Sequence, residues 1–393
     1  MANGPVRRYA GPTELVYGIG TLKQLPAEVA RLGGTNVLIV SDAGLLRAGI
    51  VGRVTATFAG SSLPFSVDTE VPSDPTFEDV DRLVAVIKAT GADTVVSVGG
   101  GSALAAGRSA ALAATHEGPS VRIQGVDKST NEPLLSICIP TTAGSGGEVS
   151  RQATITAPDG HKSGVQGWPV AARLAILDAE LCTGAPRGQM VASGVDALVH
   201  ALEAYTSRRA TPLSDALALS SFKTLYDELP AAIESRDVEA FDRLLLASTM
   251  ANLACGNAGL GLIHGLNKGI TYLFHTGRYN TLSYGDLHSV LLPWVNAFNV
   301  EGAPERYAVL ARLMGSTAAD DLAAAREGTE LLTAWLRTLG APTRLPWDAG
   351  CPDEDVDVIV GDVLGRQMAK DNPRESTAED LRDIVAKSIT GWQ

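Results

Sequence analysis

Two textures of apolar patterning divide this chain. Up to about residue 185, short apolar runs alternate with stretches of helical periodicity. Residues 36–40 (NVLIV), 93–98 (DTVVSV) and 134–139 (LLSICI) have strand length and are apolar nearly throughout. Such a strand is buried on both faces, as in a parallel sheet covered by helices. From about Pro186 the texture becomes long and Ala/Leu-rich, and helices are expected over 188–207, 212–235, 238–256, 286–299, 304–315, 320–339 and 355–370. Residues 340–346 (GAPTRLP) read as a loop between helices. The pattern predicts an α/β domain with a parallel sheet at 1–185 and an all-helical domain at 186–393.

Composition narrows the partners. The formal net charge of −12 argues against nucleic acid or an anionic membrane surface. No apolar run has the length of a bilayer span, and the opening MANGPVRRYAGPTE lacks the apolar core of a signal peptide. Cys138, Cys182, Cys255 and Cys351 are widely spaced without a CxxC pair, the pattern of reduced thiols in a cytoplasmic protein.

Candidate chemistry in the first half lies in loops. Gly99-Gly100-Gly101-Ser102 follows a predicted strand and opens a helix. Glycines there let a backbone approach a ligand, and the helix start offers N–H groups to a pyrophosphate. The same residues also suit a plain strand–helix turn. A second loop, 140–148 (PTTAGSGGE), brings Thr141, Thr142 and Ser145 to the end of another strand. Two such loops suit a dinucleotide across the carboxyl ends of the strands. Asp42, just after the strand at 36–40, can accept from an adenosine ribose and repel a 2′-phosphate, or can simply cap the helix at 43–50.

In the second half, Asp196 and His200 stand four residues apart in an apolar helix, so they share one face. A carboxylate and an imidazole so placed can both reach one metal ion, and can equally hydrogen-bond in a core.

Several segments together resemble the iron-containing (group III) alcohol dehydrogenases: GGGS near 100, IPTTAGSGGEVS at 139–150, AILDAELCTGAPR and SGVDALVHALEAYTS within 175–207, LLPWVNAFN at 291–299, and AKDNPR at 369–374. The resemblance runs from about Pro12 to Ile389. It implies a Rossmann-like N-terminal domain, a helical C-terminal domain, NAD(H), a divalent metal such as iron or zinc, a small alcohol or its aldehyde or ketone as substrate, and a homo-oligomer, with a dimer expected. Asp196, His200 and His264 match metal ligands of that family. Lys162 stands where the family often carries a lysine near the cofactor; a solvated loop lysine is the plainer reading.

The chain also departs from that pattern. Lys268 replaces an active-site histidine, and Tyr284 replaces the fourth ligand. His288 lies one turn beyond Tyr284, and Ala105 and Arg108 replace an Asp and a Lys. Three readings follow. A metal held by Asp196, His200 and His264 is completed by water, Tyr284 or His288. Alternatively, a metal-free site uses Lys268 as the cation and Tyr284, its pKa lowered by the ammonium, as proton donor. In the third, catalysis is lost and nucleotide binding retained. A non-redox lyase or cyclase of the dehydroquinate synthase-like fold is a further alternative, against which the missing Lys/Arg cluster counts. His116 reads as a surface residue, His161 as part of a polar turn, and His275 as a candidate for the substrate entrance.

Overall fold

The computed structural model describes residues 8–275 and 277–392. Six parallel strands form the main sheet: β1 (Glu14–Tyr17), β2 (Val37–Val40), β3 (Phe65–Asp68), β4 (Thr94–Gly99), β5 (Leu135–Pro140) and β6 (Leu174–Leu177). Their order is β1-β6-β5-β4-β2-β3. The three strands predicted from continuous apolar runs are β2, β4 and β5, each within a residue of its expected bounds.

Both faces of those strands are covered. Val37, Ile39, Val96, Val98, Ile137 and Ile139 pack with Leu25, Val29, Val54 and Phe58 on one side. Leu38, Val40 and Val95 pack with Phe77, Val80, Leu83 and Ile87 on the other. Burial on two faces explains why no polar alternation is visible in these strands. The helix Gly101–Ala113 lies close to β4: a Cβ on Gly107 would come within 2.0 Å of the Ser97 hydroxyl.

The chain divides into two compact units. One is Gly11–Pro186 with Ser235–Thr249; the other is made chiefly of Arg187–Glu234 and Met250–Gln393. The second is helical, with Arg187–Thr206, Pro212–Ser235, Leu262–Phe274, Tyr284–Asn299, Pro304–Leu313, Asp321–Leu339 and Ala378–Thr390 among its helices. The helix expected at 355–370 is two helices, Asp353–Gly365 and Gln367–Asp371. Gly365 is a poor helix former, and Arg366 turns extended (φ −88°, ψ 152°). Among the described residues no single helix is long and apolar enough to cross a membrane.

Candidate active site

Three helices of the helical unit converge on one buried cluster. Arg187–Thr206 carries Asp196, His200 and Glu203, Leu262–Phe274 carries His264, and Tyr284–Asn299 carries His288. Gly285 permits the third approach, because a Cβ there would sit 2.1 Å from the Ala192 carbonyl oxygen. That close crossing brings Tyr284 and His288 to the face that bears Asp196.

Asp196 Oδ1 is the hub. It lies 2.9 Å from His288 Nδ1, 3.8 Å from His264 Nε2 and 3.9 Å from His200 Nε2. The His200 and His264 rings stack at 4.7 Å, and His264 and His288 lie 4.3 Å apart between centroids. One ligand atom from each of Asp196, His264 and His288 falls within 4.8 Å of the others. All four side chains are buried, His288 completely.

Asp196 Oδ1, His264 Nε2 and both His288 nitrogens make no aligned hydrogen bond among the described residues. Buried polar atoms are rarely left so, and converging orphaned nitrogen and carboxylate donors fit a divalent iron or zinc ion. Burial pushes the Asp196 carboxyl up, but His200, His288 and His264 outweigh it and hold it well below the usual carboxylate range.

His264 is aimed by a residue that sequence reasoning missed. Its Nδ1 lies 2.7 Å from Glu203 Oε2, inside the protein. A carboxylate accepts, so Nδ1 carries the hydrogen and the Nε2 lone pair faces the cluster, the usual outer-shell arrangement of a metal-binding histidine. Burial, with His288 and His200 nearby, pushes His264 well below its ordinary pKa and keeps the ring neutral. Glu203 Oε1 also accepts the Ile263 N–H at 2.7 Å, while Asn372 accepts from Leu262 N at 3.2 Å. The start of the helix bearing His264 has no cap of its own, and these two residues satisfy its free amides. Gly261 makes room, since a Cβ there would meet Asn372 at 2.9 Å and Glu203 at 3.0 Å. Glu203 shares the helix of Asp196 and His200, and a carboxylate inside that apolar face was the available signal.

Tyr284 and Lys268 flank the cluster. The Tyr284 ring is edge-on to His288 at 5.0 Å, and its hydroxyl forms no hydrogen bond among the described residues. Its phenol is pushed up, first by burial and then by Asp196 and Glu203, against a lowering by Arg366. This reverses the lowered pKa expected of a proton donor beside an ammonium; Lys268 is not among the groups acting on it. Lys268 is buried and forms no ion pair among the described residues. Burial first, then Arg366, push it down to about 8, against Asp362.

In the α/β unit, the two glycine-rich loops lie side by side. Gly99 pairs with Pro140, and Thr141 N donates to the Gly99 carbonyl at 3.1 Å. Cβ atoms on Gly100 and Gly101 would fall 3.7 Å from Thr142 and 3.2 Å from Ser145. No side chain caps the helix that starts at Gly101. The Ser102 hydroxyl donates to the Ser73 carbonyl, and the next residue, Asp74, pairs with Lys162. Lys162 is therefore buried and paired, not a solvated loop lysine. Asp42 does cap its helix, through Oδ1 and Leu45 N at 2.9 Å. Its Oδ2 lies near Gly99, 3.8 Å from where a Cβ would be.

Arg108 has a structural task. It is buried and donates to the carbonyls of Leu104, Ser150, Gln152 and Val170, tying the helix to the loop that follows. Ala105 lies in the apolar core. His116 is partly buried against Leu112 and Ser129 and is less of a surface residue than expected. His161 pairs with Asp159 in its turn, and His275 is exposed at a helix C-terminus.

The chain has many relatives. Residues 12–179 match the family described as iron-containing alcohol dehydrogenase, and 190–389 match its C-terminal domain. The chain is similar to an NAD-dependent methanol dehydrogenase of Bacillus methanolicus (31% identical, covering 96% of this chain and 98% of the relative). It is equally similar to a 4-hydroxybutyrate dehydrogenase of Cupriavidus necator (31%, 96% and 98%). Among solved structures, a 1,3-propanediol oxidoreductase superposes with a TM-score of 0.91 at 28% identity, over 97% of this chain and 99% of the other. The chain belongs to the iron-containing alcohol dehydrogenases, a family of oxidoreductases, and has their fold.

Proposed function

We propose that this protein is an NAD(H)-dependent oxidoreductase that interconverts a small alcohol and its aldehyde or ketone, with a divalent ion held by Asp196, His200, His264 and His288. The observation that carries the reading is the buried convergence of Asp196 Oδ1, His264 Nε2 and the His288 nitrogens, which make no aligned hydrogen bond among the described residues, with His264 aimed by Glu203. When bound, the ion supplies Lewis-acid polarisation of a substrate oxygen, and the nicotinamide supplies or accepts hydride. His288 takes the place that the altered Tyr284 leaves in the ligand set.

The remaining work falls to the chain. Asp196 offsets the ion's charge. Glu203 keeps His264 in the ligating tautomer. The partly buried Tyr284 narrows the site beside His288 and presents a protonated hydroxyl to it. Gly99, Gly100 and Gly101 let backbone reach a pyrophosphate, and Thr141, Thr142 and Ser145 line the neighbouring loop. Ser102, bonded to Ser73, and Lys162, bonded to Asp74, hold the residues around that loop in place. Asp42 selects NAD(H) over NADP(H) by placing a carboxylate beside the ribose.

The free thiols support a cytoplasmic enzyme. The sheet edge at β1, with Tyr17 59% and Ile19 45% exposed, supports a homo-oligomer, which light scattering would measure. The activity is tested by NADH oxidation in metal-loaded protein with a panel of short aldehydes and ketones. Turnover with at least one is expected. Absence of turnover with all of them, together with absence of nucleotide binding, refutes the reading.

A further inference from the structure

Lys268 places a positive charge beside the cluster. It follows His264 by four residues on the same helix, so the two share a face about 6 Å apart along the axis. Only 7% of it is exposed, and no carboxylate pairs with it among the described residues. Asp362, the carboxylate whose charge acts on it, is already taken: Arg366 holds both of its oxygens, at 2.7 and 2.8 Å. The position of Lys268 is fixed by tight packing. A Cβ on Gly269 would touch Ile359 at 3.1 Å, and one on Gly265 would touch Val363 at 3.5 Å, so the helix Asp353–Gly365 lies directly against this one.

A buried ammonium without a counter-ion is costly to a fold, and a ligand that brings the opposite charge relieves that cost. We infer that the substrate carries, a short carbon chain away from its reacting alcohol or aldehyde, a carboxylate that binds to Lys268. This rests on the oxidoreductase reading and narrows it to short ω-hydroxy acids and their semialdehydes. Lys268 is then a specificity-determining residue: it holds the far end of the substrate and leaves the reacting end to the cluster. Burial and the neighbouring Arg366, which push the ammonium's pKa down, describe the same unmet need for an anion.

The test compares butanoate with butanamide, of nearly equal shape, by calorimetry on the metal-loaded protein with NAD. Butanoate should bind tighter by about tenfold or more, as for a hydrogen bond to a charged partner. Lys268→Met should bring the two affinities together, and Lys268→Arg should keep most of the difference. Circular dichroism of each variant shows that it is folded. A carboxylate preference that survives Lys268→Met, as when the ion alone holds the anion, overturns the inference; so does equal binding of the two probes by the unaltered protein. The same preparation is assayed with NADH on 4-oxobutanoate and on butanal. If either turns over and the carboxylate preference is absent, the inference fails and the oxidoreductase reading stands. If neither these two nor any other short aldehyde or ketone turns over, and no nucleotide binds, the oxidoreductase reading fails and the inference falls with it.

Discussion

Replacing Lys268 by Met should make the ligand-free protein more stable near neutral pH. The ammonium's pKa falls from 10.5 to about 8 on folding, because burial and Arg366 disfavour the charged form. A tenfold change in proton affinity corresponds to about 1.4 kcal/mol, so the charged lysine costs the fold on the order of 3 kcal/mol. The sign follows from proton linkage. Between the two values the unfolded chain binds more protons than the folded one, so stability rises with pH there. The cost is fully present below about pH 8 and disappears as pH approaches 10.5. Methionine keeps the length and apolar stem of the lysine without its charge. Lys268→Met should therefore gain up to about 3 kcal/mol at pH 7 and under about 1 kcal/mol at pH 10. Urea unfolding of both proteins at the two pH values, followed by circular dichroism, measures this. A variant less stable than the parent at pH 7, or a gain that does not shrink with pH, refutes the picture of an uncompensated buried charge.

Other perturbations read other parts of the structure. Glu203→Gln cannot accept from both Ile263 N–H and His264 Nδ1–H, so metal affinity should fall about 10- to 100-fold in a competition titration with a chelator. Unchanged affinity would remove Glu203 from the outer shell. Asp42→Asn keeps an acceptor for Leu45 N but loses the charge, so the ratio of NADPH to NADH dissociation constants should drop by about tenfold, ~1.4 kcal/mol, in fluorescence titrations. Gly285→Ala drives a methyl group into the Ala192 carbonyl, so it should cost about 1–3 kcal/mol in thermal unfolding and weaken metal binding by displacing His288.

The parts of the fold that were legible are those whose burial is uniform. β2, β4 and β5 are covered on both faces and read as unbroken apolar runs. The edge strands β1 and β3 expose alternate residues such as Tyr17, Phe65 and Val67, and over four residues that alternation is not distinctive. The helix Leu262–Phe274 escaped because Gly265 and Gly269 lower its intrinsic propensity; their absent side chains are what let Ile359 and Val363 pack against it. In the site, Asp196 and His200 were legible because helical spacing alone joins them. His288 and Glu203 were harder for the opposite reason. His288 reaches Asp196 only through the Gly285–Ala192 crossing, and Glu203 meets its partner His264 across 61 residues of chain. Local pattern marks each as a candidate, a carboxylate in an apolar helix and an imidazole one turn beyond Tyr284, but only tertiary packing decides which partner it meets.

The role proposed for Asp196, His200, His264 and His288 makes NAD(H)-linked turnover depend on a divalent ion. It is tested most directly by measuring metal content and NADH oxidation on one preparation before chelation, after exhaustive chelation, and after adding back iron or zinc. About one ion per chain is expected, with loss of both signals on chelation and recovery of both on add-back, and His264→Ala should show neither. Turnover that persists in protein stripped of metal would contradict it.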